Sequence, residues 1–252
     1  MSATTSEVVA PASGVRKQLR KSPFFAALGL LMLVLAIGGF WPQYFSAVTG
    51  NAPSATTRHW LIHLHAALFT VWLLLYIVQA GLIVSVRARL HLKWGPSMAA
   101  YGFAIALVGL YAAALLADRL GRRVDNFEQA AAFVFFPIID MIYFAGFLAV
   151  ALVYRRRPEV HKRAMFLATF SIAVVGIGRL VFRTGIESPL IWEPLNLAPL
   201  LIALVYDLVV CRRAHAVMVA GLAVHLFRLN ADALTMSEAW LPIGRALIAP
   251  FR

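Results

Sequence analysis

Long apolar runs follow one another along most of this chain, and each is close to the length that crosses a lipid bilayer. A membrane-spanning helix needs about 20 predominantly apolar residues. Short polar or basic segments separate the runs, so we expect each run to form its own helix. Seven runs are candidates, at residues 24–42, 59–86, 96–117, 129–154, 164–182, 196–211 and 215–230.

The overall composition supports this membrane interpretation. Hydrophobic residues make up 62% of the chain and charged residues only 13%, whereas soluble domains have about 45–50% and about 25%. The sequence therefore predicts an all-α fold, a polytopic bundle of transmembrane helices with seven spans. The last two runs are the shortest, and merging or demoting one of them gives a six-span alternative.

The net charge of +12 comes from basic residues that stand in short clusters between the apolar runs. A nucleic-acid-binding protein would gather them on one face, so this class is excluded. Cytoplasmic loops of membrane proteins are enriched in Lys and Arg, which places the N-terminus in the cytoplasm and, with seven spans, the C-terminus outside. The basic residues on the predicted inner side are Arg16, Lys17, Arg20, Lys21, Arg87, Arg89, Lys93, Arg155, Arg156, Arg157, Lys162, Arg163, Arg212 and Arg213.

The chain divides into three parts around a single bundle. Residues 1–22 are polar and end in basic residues, and we expect them to form a disordered cytoplasmic tail. Residues 23–231 form the predicted transmembrane helical bundle. Residues 232–252 mix Trp, Leu, Ile and Arg, which suits a short amphipathic tail on the outer surface. The single cysteine, Cys211, excludes an intramolecular disulfide and a cysteine-built metal site.

Four charged or titratable residues lie deep inside the apolar runs, where each is a candidate functional residue with a partner. Counted at 1.5 Å per residue, Asp140, Arg179 and Arg228 lie roughly 20–23 Å from the inner ends of their runs. His225 lies one turn from Arg228. We therefore expect a polar cluster of these four residues. Either it is a buried ion pair that fixes helix packing, or its spare positive charge binds an anionic or carbonyl-bearing ligand.

A second candidate surface follows the second apolar run. His65, Phe69, Trp72, Tyr76 and Gln79 are three or four residues apart and share one face of a helix. We expect this stripe to face one neighbour or one cavity. It serves either as aromatic and polar packing between helices or as the wall for a flat cofactor such as haem or a quinone.

The other histidines give two further candidate sites. His59 and His63 are four residues apart on one helix face, so they are candidate metal ligands if a third ligand comes from elsewhere. On the predicted inner side, three loops each place a histidine after a basic group: His91, His161 and His215.

Asp207 lies close to this inner side, where it can pair with a basic residue or orient His215. Two interpretations of the inner residues remain open. Either the arginines only set the topology and the histidines lie at the membrane surface, or the three loops build a cytoplasmic-side site. Such a site would bind a phosphate head group or a metal.

Two motifs within residues 59–180 resemble those of a group of uncharacterised bacterial multi-pass inner-membrane proteins. They are "HLHAALFTVWLLLYIVQAGLIVSVRARLHLKWG" and "RRRPEVHKRAMFLAT", in which a histidine opens a helix that ends in an Arg- and His-containing turn, and a His-Lys-Arg turn opens a later helix. More distantly, the layout is similar to b-type cytochrome and oxidase-assembly membrane proteins. The resemblance implies a place in the bacterial inner (cytoplasmic) membrane and a link to redox chemistry.

The sequence departs from the pattern of a helix that binds two stacked haems. Such a helix carries a second histidine about four turns along, whereas the residue 14 positions after His65 is Gln79. A single haem held by His65 and His225 stays open, although the two differ by roughly 15 Å in depth.

Together these features predict an integral membrane protein that holds one haem b, a quinone or a metal ion inside the bundle, as a redox or redox-assembly protein. The alternative is a non-redox transporter or structural subunit. There, Asp140 is a gate or a packing device, and the inner loops bind anionic lipid head groups or a membrane-protein partner. No catalytic motif is complete, so enzyme activity, for example metal-assisted hydrolysis, is left open.

Overall fold

The computed structural model describes residues 22–50, 60–186 and 188–251, and all regular structure in these ranges is helical. The predicted tail at residues 1–22, apart from Ser22, lies outside the described residues, as does His59. The elements are α1 (Phe24–Phe40), a π-helix (Trp41–Phe45), α2 (Ser46–Val48), α3 (Trp60–Val84), α4 (Ala88–Val124), α5 (Phe127–Phe133), α6 (Phe135–Val153), α7 (Pro158–Phe182), α8 (Pro189–Asn196), α9 (Ala198–Val210), α10 (Ala216–Leu229), α11 (Asp232–Thr235), α12 (Leu241–Ile248) and a 3₁₀ turn (Ala249–Phe251).

Several helices are long and apolar enough to cross a membrane, which confirms the predicted multi-pass class. Helices α8 and α9 add a sixth candidate if they count as one span, because the chain bends by 73° between them. Helix α10 is apolar but has only 14 residues, about 20 Å against a hydrocarbon core of about 30 Å. The five long segments are Phe24–Val48, Trp60–Val84, Ala88–Arg122, Phe127–Val153 and Pro158–Phe182.

The five long segments form a closed ring. Helix α7 packs against α1 and α6, α1 packs against α3, α3 packs against α4, and α4 packs against α6. Helix α7 is the most buried of the five, because α3, α8, α9 and α10 also contact it. Its sequence suits this position, since small residues such as Ala164, Ala168 and Gly176 let neighbouring backbones approach.

The tightest crossing lies between α1 and α7. A Cβ atom added to Gly39 would clash directly with the carbonyl oxygen of Gly176. A Cβ atom added to Gly176 would in turn stand 2.7 Å from the Cα of Ala36. Because lipid gives helices no hydrophobic reason to associate, close backbone packing of this kind is what holds such a pair together.

Helix α4 is longer than its apolar run. The sequence predicts a span at residues 96–117, whereas the helix begins at Ala88 and ends at Val124. The additional turns carry polar side chains, among them His91 at one end and Arg122 at the other. Hydropathy indicates where lipid surrounds a helix, while the backbone hydrogen bonds continue into the polar flanks.

Prolines explain why three runs are interrupted. Pro42 has no N–H, so the carbonyl of Gly38 loses its α-helical donor, and a π-helix follows. Arg183 compensates by donating to the carbonyls of Gly38 at 3.1 Å and Gly39 at 3.4 Å. The fourth run divides at Val134, and the sixth at Leu197. Pro137 and Pro199 follow these two breaks closely.

The bundle has two distinct ends. We call the end where α3 meets α4, α6 meets α7 and α9 meets α10 the basic end, because Arg87, Arg155 and Arg212 lie in these connections. The opposite end, which we call the tail end, carries the C-terminal segment. There Trp240 Nε1 donates to the carbonyl of Ala131 at 2.9 Å.

Candidate functional site

A buried ion pair joins Asp140 of α6 to Arg228 of α10. The carboxylate is fully buried, and both of its oxygens accept hydrogen bonds from the guanidinium: Oδ1 from Nε, and Oδ2 from Nη2 at 2.8 Å. The guanidinium also lies 5.6 Å from the centre of the Phe136 ring. The structure thus brings together two residues that the sequence matches by depth, and their pairing ties α10 to α6.

Arg179 lies apart from this pair, in the last turn of α7. Its guanidinium lies 4.9 Å from the centre of the Phe40 ring, at the end of α1. Its Nε is buried without a hydrogen-bond partner among the described residues. The expected four-residue cluster is therefore divided, because depth alone does not fix which neighbour a side chain meets.

His225 is fully buried and already has polar partners on both ring nitrogens. Its Nδ1 lies 2.8 Å from the carbonyl oxygen of Gly221, and its Nε2 lies 3.4 Å from the hydroxyl of Ser171. A haem iron would have to displace one of these contacts. The aromatic rings around it belong to Tyr143, Phe147 and Phe170.

The middle of the stripe on α3 consists of packing residues. Trp72 Nε1 donates to the hydroxyl of Thr169 on α7 at 3.2 Å, and its ring meets Phe144 of α6 edge to face with centroids 5.0 Å apart. The ring of Tyr76 packs on Gly29 of α1, where an added Cβ would stand 2.7 Å from Tyr76 Cδ1. The Tyr76 hydroxyl is buried and has no hydrogen-bond partner among the residues described.

The two ends of the stripe have other surroundings. His65 lies against Phe69, with ring centroids 4.1 Å apart, and Gln79 lines a cleft near the basic end. The stripe therefore meets several neighbours, and the expectation of a single neighbour or cavity is wrong. The physical reason is that α3 is 25 residues long and contacts α1, α4 and α7.

The cleft lies between α3 and the first turns of α4 and has a volume of about 530 Å³. Its walls are mostly apolar and aromatic. Gln79 is 7% exposed, and its Oε1 has no hydrogen-bond partner within the described part of the chain. The hydroxyl of Tyr101 is already engaged, because it donates to the carbonyl of Leu68 at 2.8 Å. The lining residues are Leu75, Val78, Gln79, Leu82, Leu90, Trp94, Ser97, Met98 and Tyr101.

The proposed metal ligands at the start of α3 stay a prediction. His59 lies outside the described residues. His63 is exposed, and its Nδ1 lies 3.1 Å from the hydroxyl of Tyr44 in the π-helix. Within the described ranges, no group of three or more His, Cys, Asp or Glu side chains is arranged to hold a metal ion.

Two of the three basic-end histidines meet. The rings of His91 on α4 and His161 on α7 lie edge to face, with centroids 6.1 Å apart. His215 instead caps α10, where its Nδ1 accepts a hydrogen bond from the backbone N–H of Val217 at 3.2 Å. Partial burial, followed by the positive charge of Arg163, lowers the pKa of His215, which favours the neutral ring that this cap needs.

Asp207 pairs with a basic residue, as one of its two predicted roles requires, and the partner is Arg163. Arg163 Nε donates to Asp207 Oδ2 at 2.9 Å, and Nη2 donates to Oδ1. The backbone N–H of His215 also donates to Oδ2, at 3.3 Å. Both side chains of the pair are buried, and together they join α7 to α9.

Sequence reasoning assigns Arg163 to the topology-setting group and misses its buried role. Arg163 also donates to Glu159 Oε2 at 2.7 Å and to the Glu159 carbonyl at 3.0 Å. One sequence signal for this role is the spacing of Glu159 and Arg163. They are four residues apart on one helix face, where an acidic and a basic side chain can pair. Arg163 is also followed directly by the apolar body of α7.

Comparison with protein-family models, curated proteins and solved structures finds no match to this chain. Its function has to be argued from its own geometry.

Proposed function

We propose that this protein binds a quinone-type molecule in the cleft between α3 and α4 and serves in membrane redox chemistry or in the assembly of a redox complex. A quinone-type molecule has a flat ring, carbonyl oxygens that become hydroxyls on reduction, and an apolar tail. The observation that carries the proposal is the buried Gln79 amide, whose Oε1 is unpartnered among the described residues, in an otherwise apolar cleft.

The size and lining of the cleft fit such a ligand. Sites for small molecules usually have volumes of about 300–1,000 Å³, apolar walls and few polar groups. The cleft has about 530 Å³. Val78, Leu90 and Trp94 on its rim are exposed on the surface of the bundle, so an apolar tail has a path along the lipid-facing side.

The Gln79 amide supplies the polar chemistry that a quinone needs. An amide can donate to the carbonyl oxygen of a quinone and can accept from the hydroxyl of a quinol. A buried polar group without a partner costs about 1–3 kcal/mol. The hydroxyl of a quinol can donate to the unpartnered Oε1 of Gln79 and would remove that cost, which supports binding of the reduced ligand at this position.

The proposal includes a membrane topology. We place the N-terminus in the cytoplasm and count seven crossings, with α8 and α9 as the sixth and α10 as the seventh. The basic end then faces the cytoplasm of a bacterial inner membrane, as the positive-inside rule requires. The C-terminal segment lies outside, and the cleft lies in the inner leaflet.

A haem is less well supported than a quinone. The ring nitrogens of His225 already have partners at 2.8 Å and 3.4 Å, and the middle of the stripe on α3 is filled by packing contacts. The second candidate is a non-redox scaffold or transporter that binds anionic lipid or a membrane-protein partner. It is favoured by the bidentate pair of Asp140 and Arg228, which looks like a packing device.

The test is quinone binding by the purified protein in nanodiscs of neutral lipid. A short-tail ubiquinone or menaquinone analogue is titrated while tryptophan fluorescence is recorded, with Trp94→Phe identifying the quenched residue. Gln79→Leu should weaken binding about tenfold, the loss of one hydrogen bond. Gln129→Leu, at a glutamine near the tail end and away from the cleft, is the matched control and should bind like the wild type.

Saturable quenching that Gln79→Leu does not change would contradict the cleft as the site. Binding of anionic lipid vesicles without any quinone binding would favour the scaffold.

A further inference from the structure

Two metal-ligating side chains, those of His91 and His161, lie side by side at the basic end of the bundle. His91 lies in the first turn of α4 and His161 in the first turn of α7, so two different helices hold them. Their rings meet edge to face, with centroids 6.1 Å apart. Neither the lining of the cleft nor the ion pairs described above account for this contact, so it is a candidate site in its own right.

A hydrogen bond to a backbone carbonyl orients the ring of His161. His161 Nδ1 lies 2.9 Å from the carbonyl oxygen of Ala151. Because a carbonyl can only accept, Nδ1 carries the hydrogen in the neutral ring and Nε2 keeps a lone pair. The Nδ1 of His91 is buried and unpartnered among the described residues. Each ring therefore has one nitrogen available as a ligand.

His161 shows the arrangement that is usual for metal-binding histidines. Such a histidine donates its second N–H to a carbonyl or carboxylate, which fixes the tautomer and the direction of the ring. With metal–nitrogen distances of about 2.0 Å, two imidazoles on one ion have centroids roughly 5–6 Å apart. The observed 6.1 Å lies at the wide end of this range.

We propose that His91 and His161 bind a Cu⁺ ion at the basic end of the bundle. Imidazole is a good ligand for copper, and Cu⁺ accepts two ligands. Zn²⁺ fits less well, because its sites use three or four protein ligands, and the described residues provide no such group. The many Arg and Lys residues at this end also repel a monovalent ion less than a divalent one.

The copper site goes beyond the proposed quinone site and does not depend on it. The Gln79 side chain lines the cleft, whereas the copper ligands are His91 and His161, which do not line it. Gln79→Leu should therefore weaken quinone binding and leave copper binding unchanged. Conversely, the histidine variants should lose copper binding and keep quinone binding, which would show that the quinone site does not need the copper site.

The experiment measures Cu⁺ binding by the full chain, purified with a tag that contains no histidine. Cu⁺ is supplied under reducing, anaerobic conditions against a chromogenic Cu⁺ chelator. The wild type should bind about one Cu⁺ per chain, and His91→Phe and His161→Phe should each lose it. His215→Asn removes a histidine at the same end but keeps a side chain that can cap α10, so it should bind like the wild type.

Cys211 is the main competing ligand, and Cys211→Ser tests it directly. Loss of copper in Cys211→Ser, or full copper binding in the double variant of His91 and His161, would overturn the proposal. X-ray absorption of the copper-loaded wild type gives a test that needs no variant. Two nitrogen neighbours are expected, and sulfur neighbours would overturn the assignment.

Discussion

The buried polar groups around the Asp140–Arg228 ion pair have hydrogen-bond partners, whereas two of those beside the cleft between α3 and α4 do not. In the middle, Asp140 is paired with Arg228, and both ring nitrogens of His225 have partners. Beside the cleft, the Oε1 of Gln79 and the Nδ1 of His91 are buried and unpartnered within the described residues. The paired groups join helices, whereas the unpaired Oε1 of Gln79 lies at a cleft that a ligand can enter.

The largest effect is expected from breaking the pair in the middle. Asp140→Asn leaves the Arg228 guanidinium without its counter-charge, which should cost about 3–5 kcal/mol of unfolding free energy. Glu128→Gln, which breaks the exposed pair with Arg245, should cost about 0–1 kcal/mol. A mixed-detergent unfolding titration compares the two.

The Asp140→Asn variant also tests whether the ligand site is separate from the ion pair in the middle of the bundle. In the fraction of Asp140→Asn that folds, quinone binding should match the wild type. A well-folded Asp140→Asn variant that has lost its ligand would place the site in the middle of the bundle.

A somewhat smaller effect is expected at the tightest helix crossing. Gly39→Ala puts a methyl group against the backbone of α7, and overpacking of this kind costs about 1–3 kcal/mol. Gly146→Ala is the control, because nothing described lies within 4 Å of its added Cβ. Equal unfolding midpoints for the two variants would show that α1 and α7 are less closely packed than described.

Two further substitutions compare a paired polar group with an unpaired one. Thr169→Val removes the acceptor of Trp72 Nε1 and should cost about 1–3 kcal/mol. Gln79→Leu removes an amide without a described partner for its Oε1, so ligand-free protein should be as stable as the wild type or more stable. Comparable losses of stability in both variants would contradict the claim that Thr169 is paired in the folded protein and the Oε1 of Gln79 is not.

The smallest effect is a pH dependence from His215. Burial and then Arg163 lower its pKa below the ordinary 6.5. The unfolded chain therefore binds this proton first as the pH falls, and the stability from the neutral ring is present above about pH 6.5 and lost progressively below it. His215→Asn should lose less stability than the wild type between about pH 7.5 and about pH 5.5, and identical losses would contradict this role.

The sequence predicts the helical, multi-pass class and several of the residues that are buried and polar, because apolar length and intramembrane charge are local signals. It matches Asp140 and Arg228 by depth, and the structure pairs them. Depth does not reveal that Arg179 turns toward Phe40, or that the stripe on α3 meets several helices, because rotation about a helix axis is set by tertiary packing.

The sequence does not reveal the pair of Arg163 and Asp207, for a related reason. A basic residue just before an apolar run looks like a topology signal, and only the position of α9 shows that it is buried against Asp207. The cleft also requires the structure, since it depends on the angle between α3 and α4. Helical periodicity predicts that Gln79 lies on the same face of α3 as the rest of the stripe. That its Oε1 has no described partner can be seen only in the folded structure.

The most direct test of the central claim is photo-crosslinking with an azido- or diazirine-bearing quinone in nanodiscs. Labelling should map to the cleft residues of α3 and α4, such as Val78, Leu90 and Trp94, and unlabelled quinone should compete it away. Gln79→Leu should reduce it. Equal labelling of the exposed face of α9, at Val205 and Val209, without competition, would contradict a quinone site in the cleft.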